Sequence, residues 1–400
     1  MKGWRKFRLG IACITNANSY TPKEKWKFVN YLDTGNITDN KINAIQYIDI
    51  ENEKLPSRAR RKVQENSIIY STVRPKQRHF GIIKNQPDNF LVSTGFVVID
   101  VNESIFDADF LYYLLTQNIV VEKLHTIAEQ SVSTYPSIKP SDIENLEISI
   151  PDIVVQKRIA SILGCLDKKI EQNNMINKNL EAQAQLLYSA WFELFLPFDG
   201  IIPSNWHIGS LRDIATIRTN NFNPQKNLGV MLEHYSIPAF DEQHFPNFEM
   251  ADNVKSNKYI LTNNSVLASK LNPDTKRVWR PMCLTKNAVC STEFIVFEAN
   301  NIAYRDFLFS IINRQTFSDW MCAHTTGSTN SRQRTTPSAT LDFKVPLASD
   351  ETISEFCTLV TPIYNLISQN LLENQRLTSL RNALLPKLMS GEIDISAISL

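Results

Sequence analysis

The sequence predicts an α+β protein. Two tandem mixed α/β domains are each followed by a long helix, and the two helices pack as an antiparallel coiled coil with pseudo-two-fold symmetry. Three observations predict this. Segments recur at an offset near 197 residues, apolar residues step by three and four through two long stretches, and short β-rich runs alternate with turn residues between them.

The repeat comes first because it fixes the architecture. Residues 66–75 (NSIIYSTVRP) match 264–273 (NSVLASKLNP) with four identities and three apolar exchanges. STGFVV at 93–98 matches STEFIV at 291–296, and DFLYYLL at 109–115 matches DFLFSII at 306–312. IEQNNMINKNL at 170–180 matches ISQNLLENQRL at 367–377. Four matches in order, with the offset drifting from 198 to 197, mark a duplication. A length of 400 residues suits two such copies. The expected divisions are a first domain at 1–150, a central helix at 151–200, a second domain at 201–345, and a distal helix with tail at 346–400.

Within the domains, runs at 67–70, 96–99 and 294–297 read as strands bounded by Pro, Asn and Gly turns. One helix per copy is expected, near 107–118 and 304–313. The long helices follow. Residues 152–195 contain no Pro, and Ile159, Ile162, Leu166 and Ile170 lead a seam that continues through Leu180 and Leu187. In the second copy the seam holds Ile353, Phe356, Val360, Ile363, Ile367, Leu377, Arg381 and Leu384. The offset of 197 aligns Asn173 with Asn370 and Asn177 with Asn374, all on the seam. Polar residues there cost stability and set register. A helix of about 40 residues spans about 60 Å and needs a partner to bury its stripe. Gly164 and Pro362 fall near equivalent places and predict a kink or a short leading helix. Gly391 suits a C-terminal cap.

Net charge is +1, from 42 Lys+Arg against 41 Asp+Glu, but it is unevenly spread. Residues 54–84 hold nine basic residues and one acid, and 254–286 hold seven and one. Residues 100–150 hold nine acids and two lysines. A basic window at the same place in both copies points to a polyanion. Its candidate contacts are Arg58, Arg60, Arg61, Lys62, Arg74, Lys76 and Arg78, then Lys270, Asn272, Lys276, Arg277 and Arg280. A polar loop precedes each long helix and supplies further candidates able to meet base edges or phosphates. They are Ser131, Ser133, Thr134 and Tyr135 in the first copy, and Ser328, Thr329, Asn330, Arg332 and Arg334 in the second.

Catalytic signatures are missing. No Gly is followed by Lys, so the phosphate-cradling P-loop is absent. The six cysteines show no paired metal-ligand spacing, and neither do His234 and His244 beside Asp241 and Glu242. Pro151-Asp152 and Asp167-Lys168-Lys169 mimic a nuclease pattern, yet they flank and enter a helix, where carboxylates do not converge on Mg²⁺. No apolar run reaches the length of a membrane span, and no signal segment is evident, so reduced thiols, the cytoplasm and no membrane contact are expected.

LLPKLMSGEI at 384–393 resembles the C-terminal signature of the specificity (S) subunits of type I restriction–modification enzymes. IPDIVVQKRIASIL at 150–163 resembles the start of their central helix, and NQRLTSLRNALLPKL at 374–388 their distal helix. The resemblance implies a non-catalytic subunit whose two target-recognition domains read the halves of a bipartite double-stranded DNA site. Two methyltransferase (M) subunits and restriction (R) subunits are the implied partners. It places S-adenosylmethionine, ATP and Mg²⁺ on those partners and no cofactor on this chain. Two other readings stand beside it: a coiled-coil scaffold with basic RNA- or protein-binding domains, and a methylation-only subunit without an R partner.

Overall fold

The computed structural model describes residues 4–130, 135–326 and 333–395. The chain forms two compact units, Met1–Lys168 with Leu377–Leu400, and Lys169–Arg376. Each long helix therefore begins in one unit and ends in the other.

In the first unit, one antiparallel sheet runs in the order Cys13–Thr15, Phe96–Val101, Ile68–Ser71, Phe80–Ile82. A second runs Gln46–Asp49, Phe28–Leu32, Phe90–Ser93, Ala59–Lys62, with Phe28–Leu32 and Phe90–Ser93 parallel. The strand Ile68–Ser71 is buried on both faces, which is why it reads as a continuous apolar run. Its alternation divides the core: Ile68 and Tyr70 face the helices, and Ile69 faces the second sheet with Val98, Phe90 and Val92.

The second unit repeats this plan. Ala215–Arg218, Phe294–Ala299, Ser265–Ser269 and Val278–Trp279 form the first sheet. The second holds Asn221–Phe222, Lys258–Ile260, Ala288–Ser291, Met231–Tyr235 and Asn247–Met250. The parallel pairing recurs between Met231–Tyr235 and Ala288–Ser291.

The expected helices are Ala108–Leu115 and Arg305–Ile312. The first copy adds Asn118–Glu129 and the short Pro140–Glu144, and the second adds Gln315–Ala323 with the short Ile237–Gln243 and Pro337–Thr340, so the expectation of one helix per domain is corrected. Asn118–Glu129 buries only Val121, Leu124 and Ala128, too narrow a stripe to stand out in the sequence.

The long helices are Ile153–Phe192 and Asp350–Met389. Asp152 accepts the Val155 amide at 3.0 Å and Ser349 the Thr352 amide at 3.3 Å, so both starts are capped at equivalent positions. The helices run unbroken past Gly164, Pro362 and Pro386, and the expected short leading helix does not form. At the far end Gly391 takes a left-handed φ of 70°. A Cβ there would meet the Trp4 indole at 2.7 Å, so the cap admits little else.

Ile159 is buried on the first unit's core, and Ile162 and Leu384 pack against it. Leu166, Ile170, Leu180, Leu187, Ile363, Ile367 and Leu377 are half-buried. Of the expected seam, Ile353, Phe356 and Val360 are buried in the second core. Further buried positions lie one step aside: Ala160, Leu163, Leu388 and Met389 join the first core, and Tyr188, Phe192 and Tyr364 the second. The helix ends serve a partner helix and a domain at once, so the apolar face is wider than a coiled-coil seam. Between the ends, Asn173 donates to Asn374 Oδ1 at 2.9 Å and to Glu373 at 2.7 Å. Asn370 donates to Asn177 Oδ1 at 2.7 Å, and Asn374 to Asn174 at 2.8 Å. In the first unit Arg381 donates to Asp167 at 2.6 Å.

One buried pair ties the second domain to the distal helix. Arg280 grips Asp306 with two bonds, 2.6 and 3.0 Å, and donates to Asn365 at 2.9 Å. Burial alone would raise the Asp306 carboxyl, but the Arg280 fork, with Arg305 beside it, holds it below its ordinary value. Asp306→Ala strands Arg280 and should cost about 3–5 kcal/mol in denaturant unfolding. A lowered carboxyl stabilises above its unfolded pKa of about 3.9 and loses that effect as pH falls through the folded value. The gap between wild type and Asp306→Ala should therefore be full at pH 7 and close below about pH 4.

Candidate nucleic-acid interface

The basic windows of the two copies fall on equivalent strands and turns. In the first unit the strand Ala59–Lys62 lies at the edge of its sheet, antiparallel to Phe90–Ser93. Arg58 precedes it and is exposed, and Arg60 is half-buried. No side-chain hydrogen bond or ion pair joins either to another described residue. The Arg61 Nε is covered and has no partner among the described residues, an expensive state for a guanidinium donor. Lys62 is committed: it pairs with Glu24 and sits 5.0 Å from the Trp26 ring. The Lys62 hydrogen bond holds the Glu24 carboxyl below its ordinary range.

The following turn splits in the same way. Arg74 is exposed, with its guanidinium 5.3 Å from the Tyr135 ring. Lys76 makes an exposed ion pair with Glu122 at 3.0 Å, worth little. Arg78 is a clamp, donating to Asp39 at 2.6 Å, Asn118 at 3.1 Å and the Thr116 carbonyl at 3.2 Å.

In the second unit most of the cations are neutralised internally. Arg277 grips Asp241 with bonds of 2.6 and 2.9 Å, and Arg280 is the buried clamp already described. Arg334 grips Glu293 at 3.0 and 3.1 Å. Lys276 is exposed and donates to the Asn313 carbonyl at 3.0 Å. Lys270 is half-buried, and its amide donates to the Glu293 carbonyl at 2.9 Å. Asn272 has a covered Oδ1 without a partner among the described residues. Ser131, Ser133, Thr134, Ser328, Thr329, Asn330 and Arg332 lie outside the described residues.

The basic turn and the polar loop of each copy meet. Val73 bridges Ser137 and Leu271 bridges Arg334, antiparallel in both cases. Arg74 and Tyr135 thus meet on the first domain, and Asn272 and Arg334 lie at the matching junction of the second, while Arg58 and Arg60 stand at the neighbouring edge strand. Composition counted these cations alike, whereas folding sorts them into clamps and uncommitted groups. The missed groups were their acidic partners, Asp39, Asp241 and Asp306, which lie 26 to 39 residues away in sequence.

The nuclease-like carboxylates do other work. Asp152 caps a helix, and Asp167 accepts from Tyr113 at 2.6 Å and from Arg381. Burial, with Asp167 adding to it, pushes the Tyr113 phenol up, so it remains a donor. Among the described residues no three His, Cys, Asp or Glu side chains gather as a metal site. No described helix is long and apolar enough to cross a membrane.

Residues 1–182 match the family model described as the type I restriction modification DNA specificity domain. The chain is 25% identical to the HindI specificity subunit of Haemophilus influenzae, over 98% of this chain and all of that one. It is 23% identical to the MjaIX specificity subunit of Methanocaldococcus jannaschii, over 96% and 92%. Its fold is similar to that of the type I restriction–modification S subunit from M. genitalium, with a TM-score of 0.57 at 16% identity and 96% of each chain covered. Two copies of one sheet-and-helix plan, each completed by a long helix, accord with these likenesses, and residues 1–182 carry the match to the specificity-domain model.

Proposed function

We propose that this chain is the non-catalytic specificity subunit of a type I complex, and that each domain reads one half of a bipartite, asymmetric duplex DNA site. The observation that carries the reading is the duplicated frame with unlike side chains at its turn-and-loop junctions. Equal frames meet DNA in equal ways, and unlike side chains read unlike half-sites. Cations at such junctions contact phosphate and base edges. The paired helices hold the half-sites near one helical turn apart, as for dimeric readers, and the bases between are spanned unread.

Two methyltransferase subunits dock on the outer helix faces, where Met175, Ile176, Leu186 and Leu366 are exposed apolar residues. They bring S-adenosylmethionine and methylate adenine flipped from the duplex. Restriction subunits, with ATP and Mg²⁺, join the same assembly, and the complex works in the cytoplasm.

Methylome sequencing of a host that expresses the chain with its M partner tests this. A bipartite motif with unlike halves is expected. Binding without sequence preference, lost steeply as salt rises, would instead indicate a purely electrostatic scaffold. Arg58→Ala, Arg60→Ala and Arg61→Ala should weaken methylation while leaving co-purification with M intact; loss of co-purification would place these residues in assembly. Inserting four residues after Asn177 should change the spacer of the methylated motif and leave both half-sites unchanged. An unaltered spacer would exclude the helices as the ruler.

A further inference from the structure

Arg74 and Asn272 occupy the same place in the two copies, 198 residues apart, and each precedes a proline. Both take left-handed backbone, φ 49° and 47°. A side chain disfavours that region, and a following proline restricts the residue further. Arginine is an unusual residue to find there.

The same frame holds both. Ser71 and Ser269 are buried, and their hydroxyls donate to the Val73 carbonyl at 3.0 Å and the Leu271 carbonyl at 2.9 Å. The Arg74 amide donates to the Pro136 carbonyl at 3.0 Å, and the Asn272 amide to the Gln333 carbonyl at 3.0 Å. Thus one strained residue per copy is pinned where the basic turn meets the polar loop. Strain kept at matching positions signals use.

The side chains differ in a way that matters for bases. Arg74 carries a guanidinium with no ion pair among the described residues, lying over the exposed Tyr135 ring. Its planar fork matches the O6 and N7 acceptors of guanine. Asn272 carries an Oδ1 acceptor that has no donor among the described residues. A carboxamide matches adenine, accepting from N6 and donating to N7.

We propose that Arg74 and Asn272 are specificity-determining residues at equivalent positions. Arg74 selects a G·C pair in the first half-site, and Asn272 selects an A·T pair, other than the methylated one, in the second. The Asn272 oxygen is covered and without a donor among the described residues in the free chain. This rests on the DNA-reading proposal above.

The test is the methylome of the chain co-expressed with its M partner, for wild type, Arg74→Asn and Asn272→Gly. Asn and Gly both accept positive φ, so the turn is kept, and co-purification with M checks assembly. Arg74→Asn should replace one G·C position by A·T in one half-site. Asn272→Gly should relax one A·T position in the other. Methylation of the original motif by either variant should fall roughly 5- to 150-fold, the discrimination of one bidentate contact. Assembled variants that keep the wild-type motif overturn the assignment alone. So does a uniform loss across all sequences, the mark of a phosphate contact. A wild-type chain without any bipartite motif overturns the DNA-reading proposal and this assignment with it.

Discussion

The pairing of two long helices through buried asparagines is the constraint on which the rest of the fold depends. Asn173 with Asn374, and Asn177 with Asn370, join the helices at 2.9 and 2.7 Å. The duplication that relates Asn173 to Asn370 and Asn177 to Asn374 exchanges one pair for the other. Each asparagine finds a cross-helix partner in this register, and a shift of one turn would strand the buried carboxamides of Asn173 and Asn374. An apolar seam of leucines would tolerate such a slip, and the amides make it costly.

Register matters because neither domain completes its core alone. The first core takes Ile159, Ala160 and Leu163 from the start of one helix and Leu388 and Met389 from the end of the other. The second takes Ala184, Tyr188 and Phe192 together with Ile353, Phe356 and Val360. A slip of the pair would misplace apolar side chains in both cores at once. The aromatic contacts of Phe192 with Phe307 and Phe356, at 4.9 and 5.0 Å, show how closely the second core is fitted around both helices.

The architecture was legible because duplication writes the same information twice. The offset of 197 located the helices and aligned the asparagines, and apolar β-rich runs bounded by turn residues revealed the central strands. Other features were invisible for physical reasons. The parallel pairing of Phe28–Leu32 with Phe90–Ser93 joins segments about sixty residues apart, and no local pattern announces it. The helix Asn118–Glu129 was missed because its buried stripe is three residues wide. Most of all, basic residues were readable as charge and not as role. Arg280 and Arg74 look alike in a sequence. One is buried against Asp306, and the other is exposed beside Tyr135.

That difference separates clamps from uncommitted side chains within each domain. Arg78, Arg277 and Arg280 hold turns and helices in place by neutralising acids, so their charge is spent inside the protein. The frame they help to build can then stay constant while the side chains on its junctions change. Ser71 and Ser269 keep the same hydroxyl bond in both copies, although the residues they support differ as much as Arg and Asn do. A substitution at Arg74 alters an exposed group and leaves the core intact, whereas a change in the Arg280–Asp306 clamp strands a buried charge. On the proposed reading, a new target can be acquired without refolding, since the residues at these junctions bear little of the load that holds the chain together.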